Sequence, residues 1–91
     1  MRKEVQFKNR DRFIQLGITI ATIRSIRGMS HEQLAEKADI SRTFLSAIEA
    51  PSTAIGFSLE VLYNIADALQ VSPADILNAS VLPDSILNPK V

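Results

Sequence analysis

The sequence predicts an all-α domain built from five short helices. Two observations lead to this prediction: apolar residues recur at spacings of three and four, and Ser, Gly and Pro punctuate the chain at short intervals. No segment alternates between apolar and polar residues for long enough to indicate a strand. A length of 91 residues fits one domain with a modest core.

The first helix is expected from about Asp11 to Arg27. Its apolar residues share one face, since they follow helical spacing at Phe13, Leu16, Ile20 and Ile23. Gly28 is expected to end it, because glycine readily adopts the left-handed conformation that follows many helices. Residues 1–10 are polar and charged, so we expect an N-terminal arm or a frayed first turn.

Two shorter helices follow, joined by a tight turn. Ser30 and Gln33 form the pattern of a capping box, which predicts a helix from His31 to Ala38 with Leu34, Ala35 and Ala38 inside. Asp39 and Ile40 form the turn, and Asp tolerates a left-handed backbone better than most residues. Ser41 then caps a third helix, which runs from Arg42 to about Ala50 and points Leu45 and Ile48 inward. Two short helices joined in this way are the outline of a helix-turn-helix.

The last two helices follow a loop over residues 51–57. Ser58 is expected to cap a helix that ends near Gln70, with an apolar stripe of Leu59, Leu62, Tyr63, Ala66 and Leu69. The stretch Ser72-Pro73-Ala74-Asp75 predicts a fifth helix to about Asn78, which carries Ile76 and Leu77. We expect the domain to span residues 11–78 and to leave residues 79–91 as a C-terminal tail.

Composition excludes several classes of function. The chain has no Cys and one His, so no disulfide framework and no metal site are expected. No apolar run is long enough to span a bilayer and no signal core follows the N-terminus, which predicts a cytoplasmic location without a membrane partner. Scattered acids and the lack of a Gly-rich phosphate loop indicate that the protein is not an enzyme, with no catalytic residues and no cofactor.

The charge is polarised along the chain. The formal net charge is zero, yet seven basic and two acidic residues give residues 1–27 a net charge of +5. Three basic and eight acidic residues give residues 28–91 a net charge of −5. One end could therefore face phosphate groups while the other repels them.

Beyond this outline, the sequence resembles the Xre and phage-repressor (Cro-like) DNA-binding domains. The resemblance covers roughly residues 16–77 and is carried by LG at 16–17, IRSIRGMS at 23–30, EQLAEKA at 32–38, ISRTFLSAIE at 40–49, SLE at 58–60, IADAL at 65–69 and VSP at 71–73. It implies a compact lambda-repressor-like fold of five helices that binds double-stranded DNA sequence-specifically. In such a protein the third helix, about residues 42–50, reads the major groove of a two-fold symmetric site as part of a homodimer. A small transcriptional regulator, and a repressor in particular, is the function it implies.

The resemblance places several side chains at the DNA. His31 is expected to contact a phosphate, or else only to begin its helix at the surface. Ser41, Arg42 and Thr43 are expected at base edges and the flanking phosphate, and Arg42 fits the O6 and N7 atoms of guanine. The alternative is a cap at Ser41 and solvated surface at Arg42 and Thr43. The loop residues Ser52 and Thr53 could bind phosphate through hydroxyl and backbone N–H groups.

Other residues of these helices have two readings each. Phe44 should be largely exposed, either to contact a thymine methyl group or to pack on a neighbouring loop. Ser46 and Ala47 resemble base-reading positions, although small side chains reach little. Arg27 could bind phosphate, as could Lys8, Arg10 and Arg12, but each could equally be solvated surface.

Arg24 and Glu49 are expected to be structural residues. The resemblance implies that these two positions form an ion pair between the first and third helices. Removing one partner of such a pair is costly if the other stays buried.

One departure from the family favours an alternative function. The loop after the third helix normally carries basic residues that grip phosphate, whereas residues 50–57 carry no charge and the loop is about two residues longer. Ile14, Ile18 and Ile26 lie outside the core stripe. The alternative is a protein-interaction module on the same fold with weak or no DNA binding, and a neutral or acidic face on the third helix would favour it.

A homodimer is expected because one reading helix covers only a few base pairs. Its interface should lie away from the third helix, on outer helix 1 at Ile14 and Ile18 and on the tail, whose apolar residues are Val81, Leu82, Ile86, Leu87 and Val91. The alternative is that the tail folds back on its own first helix.

Overall fold

A computed structural model describes residues 5–79 of the chain. Its helices are α1 (Arg10–Ile26), α2 (His31–Ala38), α3 (Arg42–Glu49), α4 (Leu59–Leu69) and α5 (73–79). The predicted all-α fold with five helices is confirmed within this part of the chain. A 3-10 turn at Phe7–Asn9 leads directly into α1, so these residues of the expected N-terminal arm continue the helix. No helix among the described residues is long and apolar enough to cross a membrane.

Serine side chains begin four of the five helices. In α2, the Ser30 hydroxyl accepts from the Gln33 N–H while the Gln33 amide oxygen accepts from the Ser30 N–H, which completes the predicted capping box. The Ser41 and Ser58 hydroxyls accept from backbone N–H groups in the first turns of α3 and α4. Ser72 and Asp75 form a reciprocal pair of the same kind at the start of α5. Each bond satisfies an N–H group that has no partner within its helix.

Three residues in the left-handed conformation end helices and turn the chain. Gly28 has φ 70° after α1, and Asp39 has φ 60° after α2, as the sequence predicted. Gln70 has φ 62° after α4, at a position where the sequence contains no residue that favours this conformation. Backbone bonds to the last turn of α4 hold the Gln70 and Val71 N–H groups, so hydrogen bonds compensate the unfavourable backbone angle.

The core lies where α2, α3 and α4 meet α1 and α5. Its fully buried large residues come from all five helices: Ile20, Leu34, Leu45, Ile48, Ile65, Leu69 and Ile76. The predicted stripe on α4 was partly wrong, because Leu59 is 63% and Tyr63 is 50% exposed whereas Ile65 is buried. Residues 62, 65, 66 and 69 follow the i, i+3, i+4, i+7 rule, so the true stripe lies on one face and leaves Leu59 and Tyr63 beside it.

Helices α1 and α3 approach each other at Gly17. A Cβ atom at this position would overlap the Ile48 carbonyl oxygen, so only glycine lets the two backbones come this close. The contact fixes the inner face of α3 against α1. It therefore decides which residues of α3 are left to face outward.

Candidate nucleic-acid interface

The α2–turn–α3 unit forms the predicted helix-turn-helix. Ile40, which is half-buried against the core, donates its N–H to the Ala35 carbonyl oxygen and so ties the turn to α2. The Ser41 cap then starts α3 immediately after the turn. With only three residues between the helices, the position of α3 follows from the packing of α2.

Helix α3 has two faces of different character. Leu45, Ile48 and Glu49 are buried, while the side chains of Arg42, Thr43 and Ser46 are exposed and Ala47 is intermediate. The exposed side chains carry one cation and two hydroxyl groups, which are the donors and acceptors that base edges and phosphates can bind.

Phe44 differs from its expectation. It was expected to be largely exposed, but it is partly buried and packs against the hydrophobic core. Its ring therefore contributes to packing against the core, and the contact with a thymine methyl group stays a prediction.

A buried carboxylate joins three helices. Glu49 is 8% exposed and lies at the end of α3. Its Oε2 accepts from Arg24 Nε at 2.9 Å and its Oε1 accepts from Arg24 Nη2 at 3.0 Å. Arg24 also donates through Nη1 to the Met29 carbonyl oxygen at 2.8 Å. Arg24 and Glu49 thus form a bidentate ion pair between α1 and α3, which is the pair that the resemblance implied.

His31 belongs to the same cluster, which the sequence did not indicate. Its Nε2 lies 2.8 Å from Glu49 Oε1, and its side chain is 34% exposed. Glu49 of α3 thus holds one edge of the ring while the side chain stays partly exposed, and the expected contact of His31 with a phosphate stays a prediction. The sequence contains no signal for this contact, because the spacing of residues 31 and 49 does not show that α2 begins beside the end of α3.

Arg42 has an acidic neighbour. Its Nη1 lies 3.5 Å from Oε2 of Glu32, and both side chains are well exposed at 63% and 75%. An exposed pair of this kind contributes little free energy because both charges remain hydrated. Arg42 is thus held only loosely and can exchange its carboxylate for another hydrogen-bond acceptor. Sequence reasoning missed Glu32 as a residue of this surface.

The guanidinium group of Arg27 binds the C-terminal end of α4. Its Nε donates to the Leu69 carbonyl oxygen at 2.8 Å and its Nη2 to the Gln70 carbonyl oxygen at 3.3 Å. A cation at a helix C-terminus is stabilised by carbonyl groups that have no partner within the helix. These bonds give Arg27 a structural role, and because the residue is also exposed, its expected phosphate contact stays a prediction.

The loop after α3 is anchored by aromatic packing. The rings of Phe57 and Phe13 meet edge to face with centroids 5.5 Å apart. Ser52 and Thr53 are exposed in this loop, and the Thr53 N–H bonds to the Ala50 carbonyl oxygen. The hydroxyl groups of both residues are thus accessible, but the loop supplies no positive charge.

No cluster of three potential metal ligands occurs within residues 5–79. Every buried side-chain nitrogen or oxygen of those residues has a hydrogen-bond partner. The polar groups of the interior are therefore used in the fold, and the unsatisfied donors and acceptors lie at the surface.

Comparison with protein families matches residues 16–80 to the Cro/C1-type HTH DNA-binding domain. The match contains the whole of α2, α3 and α4. No curated protein sequence matches the chain significantly.

Solved structures of three regulators are similar. The clp gene regulator ClgR from C. glutamicum is 30% identical, with 72% of this chain and 83% of that chain aligned at a TM-score of 0.65. The wild-type restriction-modification controller protein C.Esp1396I is 29% identical over 77% of this chain and 92% of its own, with a TM-score of 0.66. The controller protein C.AhdI from Aeromonas hydrophila shares the fold at 23% identity, with 71% and 96% of the two chains aligned and a TM-score of 0.66.

Proposed function

Because the chain belongs to the family of Cro/C1-type helix-turn-helix DNA-binding domains, we propose that it is a transcriptional repressor that binds its operator with α3 in the major groove. The family is one of DNA-binding regulators, which agrees with the expectation that the protein is not an enzyme. The observation that carries the proposal is the division of α3 into a buried face and a polar, exposed face. The DNA-binding domain corresponds to residues 11–78, and the cytoplasm is the proposed site of action.

Arg42 is the proposed base-reading residue. Its guanidinium group is exposed at the first turn of α3, and its planar pair of N–H groups matches guanine O6 and N7. Thr43 and Ser46 lie on the same exposed face and would contact bases or phosphates beside it. Ser41 would add a phosphate contact while it caps the helix, and Ser52 and Thr53 would bind the backbone through hydroxyl groups.

Repression follows from where such a protein would bind. ClgR is named as a gene regulator and C.Esp1396I as a controller protein, which supports regulation of transcription by this chain. A dimer that occupies two successive major grooves inside a promoter prevents other proteins from binding the same DNA. A reporter gene driven by the protein's own promoter should therefore lose expression when the protein is produced, and increased expression would contradict repression.

A homodimer is part of the proposal. Two copies related by a two-fold axis would place their α3 helices in successive major grooves about 34 Å apart. Exposed apolar side chains outside α3 are available for the contact, with Ile18 45% and Ile26 73% exposed on α1. The apolar residues of the tail, 80–91, to which we also assigned a dimer contact, lie outside the described residues.

Sedimentation tests the dimer directly. We expect the full chain to sediment as a dimer at micromolar concentration, and Ile18→Glu and Leu82→Glu to shift it toward the monomer. Glu60→Gln, an exposed change on α4, serves as the control and should leave the mass unchanged. A full-length chain that stays monomeric at high micromolar concentration would rule out a constitutive dimer and leave pairing on DNA.

Specific binding is tested by affinity for genomic duplexes across a salt series. We expect one set of fragments, including the protein's own promoter, to bind more tightly than random DNA, and all affinities to fall as salt rises because counterions are released. Equal affinity for all duplexes at every salt concentration would contradict the proposal. It would favour the alternative of a protein-interaction module, which the uncharged loop and the exposed Ile18 and Ile26 support.

A further inference from the structure

A shallow groove runs along the surface of α1 beside the end of α3. It has a volume of about 510 Å³, and its apolar lining comes from Ile18, Ala21 and Ile26 of α1 and from Pro51 after α3. Ile18 is 45% and Ile26 is 73% exposed. These two residues are eight positions apart, which places them on the same side of the helix at a separation of about 12 Å. Two exposed isoleucines therefore line one groove.

Three polar side chains that line the groove already have hydrogen-bond partners. Arg24 and Glu49 bind each other through two hydrogen bonds, and the remaining Arg24 nitrogen donates to the Met29 carbonyl oxygen. The Thr22 hydroxyl donates to the Ile18 carbonyl oxygen at 2.9 Å, so its methyl group is the part of the side chain left for a further contact. A charged occupant would find few free partners in this groove, whereas an apolar occupant would remove apolar surface from water on both sides.

The C-terminal tail, residues 80–91, has a sequence that fits this groove. Leu82 and Ile86 are four positions apart in it, and Pro83 disfavours a helical backbone at Leu82. In an extended segment two residues at this spacing lie about 13 Å apart, which is close to the separation of the two isoleucines of the groove. An extended segment could thus place one apolar side chain against each isoleucine.

The tail begins near α1 and is long enough to reach beyond its own domain. Arg27, which follows α1, donates to the Leu69 and Gln70 carbonyl oxygens, so the C-terminal ends of α1 and α4 meet. Helix α5 begins three residues after Gln70 and is about 10 Å long. The twelve residues that follow it can extend to about 40 Å. This length is sufficient for a contact with a second copy of the chain.

We propose that the tail segment 81–87 of one copy binds the α1 groove of a second copy, and that the reciprocal exchange of two tails forms the dimer contact. The inference rests on the proposed homodimer and names the two surfaces that meet in it. Exchange uses each tail and each groove once, so the assembly closes at two copies with two-fold symmetry. The groove lies at the end of α3, whereas Arg42 and Thr43 lie in the first turn, so the contact leaves the proposed base-reading residues uncovered.

Disulfide formation between introduced cysteines tests the exchange, because the chain contains no cysteine. Thr22→Cys places a thiol in the groove and Leu82→Cys places one in the tail. We expect an oxidised mixture of the two full-length variants to form a covalent dimer with one copy of each, which mass spectrometry identifies. The yield should be about tenfold higher than in a mixture of Glu60→Cys with Leu82→Cys, since Glu60 is exposed on α4 and does not line the groove.

The other outcomes each overturn the proposal in a different way. A chain that carries both Thr22→Cys and Leu82→Cys and forms its disulfide only within itself would show that the tail covers its own groove. A disulfide mainly between two Thr22→Cys copies would show that the α1 helices meet directly. A dimer in sedimentation with no disulfide between groove and tail would overturn the exchange and leave the homodimer standing, and a monomer would overturn both. Specific DNA binding is measured separately and is not affected by these outcomes.

Substitutions in the groove and the tail provide a second measurement without cysteines. Ile26→Ala and Leu82→Ala should each raise the dissociation constant of the dimer about tenfold, because each removes a buried apolar side chain from the contact. Together they should have much less than the product of the two single effects, because the two side chains share one contact. Effects that multiply would place the two residues in separate contacts and would overturn the proposal.

Discussion

The inner and outer faces of α3 differ in how firmly their side chains are held. On the inner face, Leu45 and Ile48 are fully buried and Glu49 is fixed by bonds from two other helices. On the outer face, Arg42 has one loose contact at 3.5 Å and Thr43 and Ser46 face solvent. Helix α3 has eight residues, and its inner side chains are held in place while its outer side chains are free to bind DNA. Changes on the inner side should alter stability, and changes on the outer side should alter DNA recognition.

The largest expected effect concerns the support of the inner face. Gly17→Ala places a methyl group against the Ile48 backbone and forces α1 and α3 apart, which should cost about 3 kcal/mol of unfolding free energy or prevent folding. Urea denaturation measures the loss. Gly28→Ala is the control, because its Cβ meets no atom and only the left-handed backbone is strained, at about 1 kcal/mol. Equal losses for the two variants would contradict a close contact at Gly17.

Breaking the buried ion pair should have a nearly equal effect. Glu49→Ala leaves Arg24 without its carboxylate in a partly buried site, and we expect a loss of about 3 kcal/mol in unfolding free energy. Glu36→Ala, an exposed change on α2, should alter stability by less than about 0.5 kcal/mol. Thermal unfolding of both variants checks the comparison. An unchanged melting temperature for Glu49→Ala would show that this cluster does not hold the inner face.

Ser41 lies at the boundary between the two faces. Ser41→Ala removes the cap bond to the Phe44 N–H, so we expect a loss of about 1 kcal/mol in stability. Ser58→Ala removes the same kind of bond from α4 and should cost about as much. DNA binding at a temperature where both variants are folded distinguishes them, since only Ser41→Ala should weaken it. If both variants bind as the wild type does, Ser41 is a cap and nothing more.

The smallest effect is expected at Glu32. Glu32→Gln removes a negative charge beside Arg42 and should strengthen DNA binding a few-fold, because the exposed pair with Arg42 no longer competes with DNA. Stability should change by less than about 0.5 kcal/mol. Glu60→Gln, which removes an exposed charge from α4, is the control in the same binding titration. Weaker binding by Glu32→Gln would indicate that Glu32 orients Arg42 for recognition.

Local signals predicted the helices well. Each expected serine cap is present, and the turn at Asp39 has the expected left-handed backbone, because caps and turns depend on residues only a few positions apart. The stripe on α4 was less predictable. Tyr63 and Ile65 are two positions apart and both could join an apolar stripe, and packing against the other helices buries Ile65 and leaves Tyr63 half exposed.

Long-range contacts explain what the sequence did not reveal about the site. Arg27 and Arg42 are both basic residues near helix ends, yet Arg27 donates to carbonyl groups 42 and 43 positions away while Arg42 contacts only the exposed Glu32 at 3.5 Å. His31 contacts Glu49 across 18 positions. The pair Arg24–Glu49 was anticipated only through the family resemblance. Residue type identified the candidates, but their partners depend on how the helices pack.

Selection of bound duplexes from a randomised pool tests the division of α3 most directly, using the wild type, Arg42→Ala and Arg42→Lys. We predict a two-fold symmetric preferred site for the wild type, with one guanine in each half-site that loses its preference, worth about 1–3 kcal/mol, in Arg42→Ala. Arg42→Lys should retain general affinity through its charge but not the guanine preference, because lysine lacks the planar fork. All three proteins should unfold at the same temperature. An unchanged guanine preference in Arg42→Ala, or a lowered melting temperature, would contradict the assignment of the outer face to DNA.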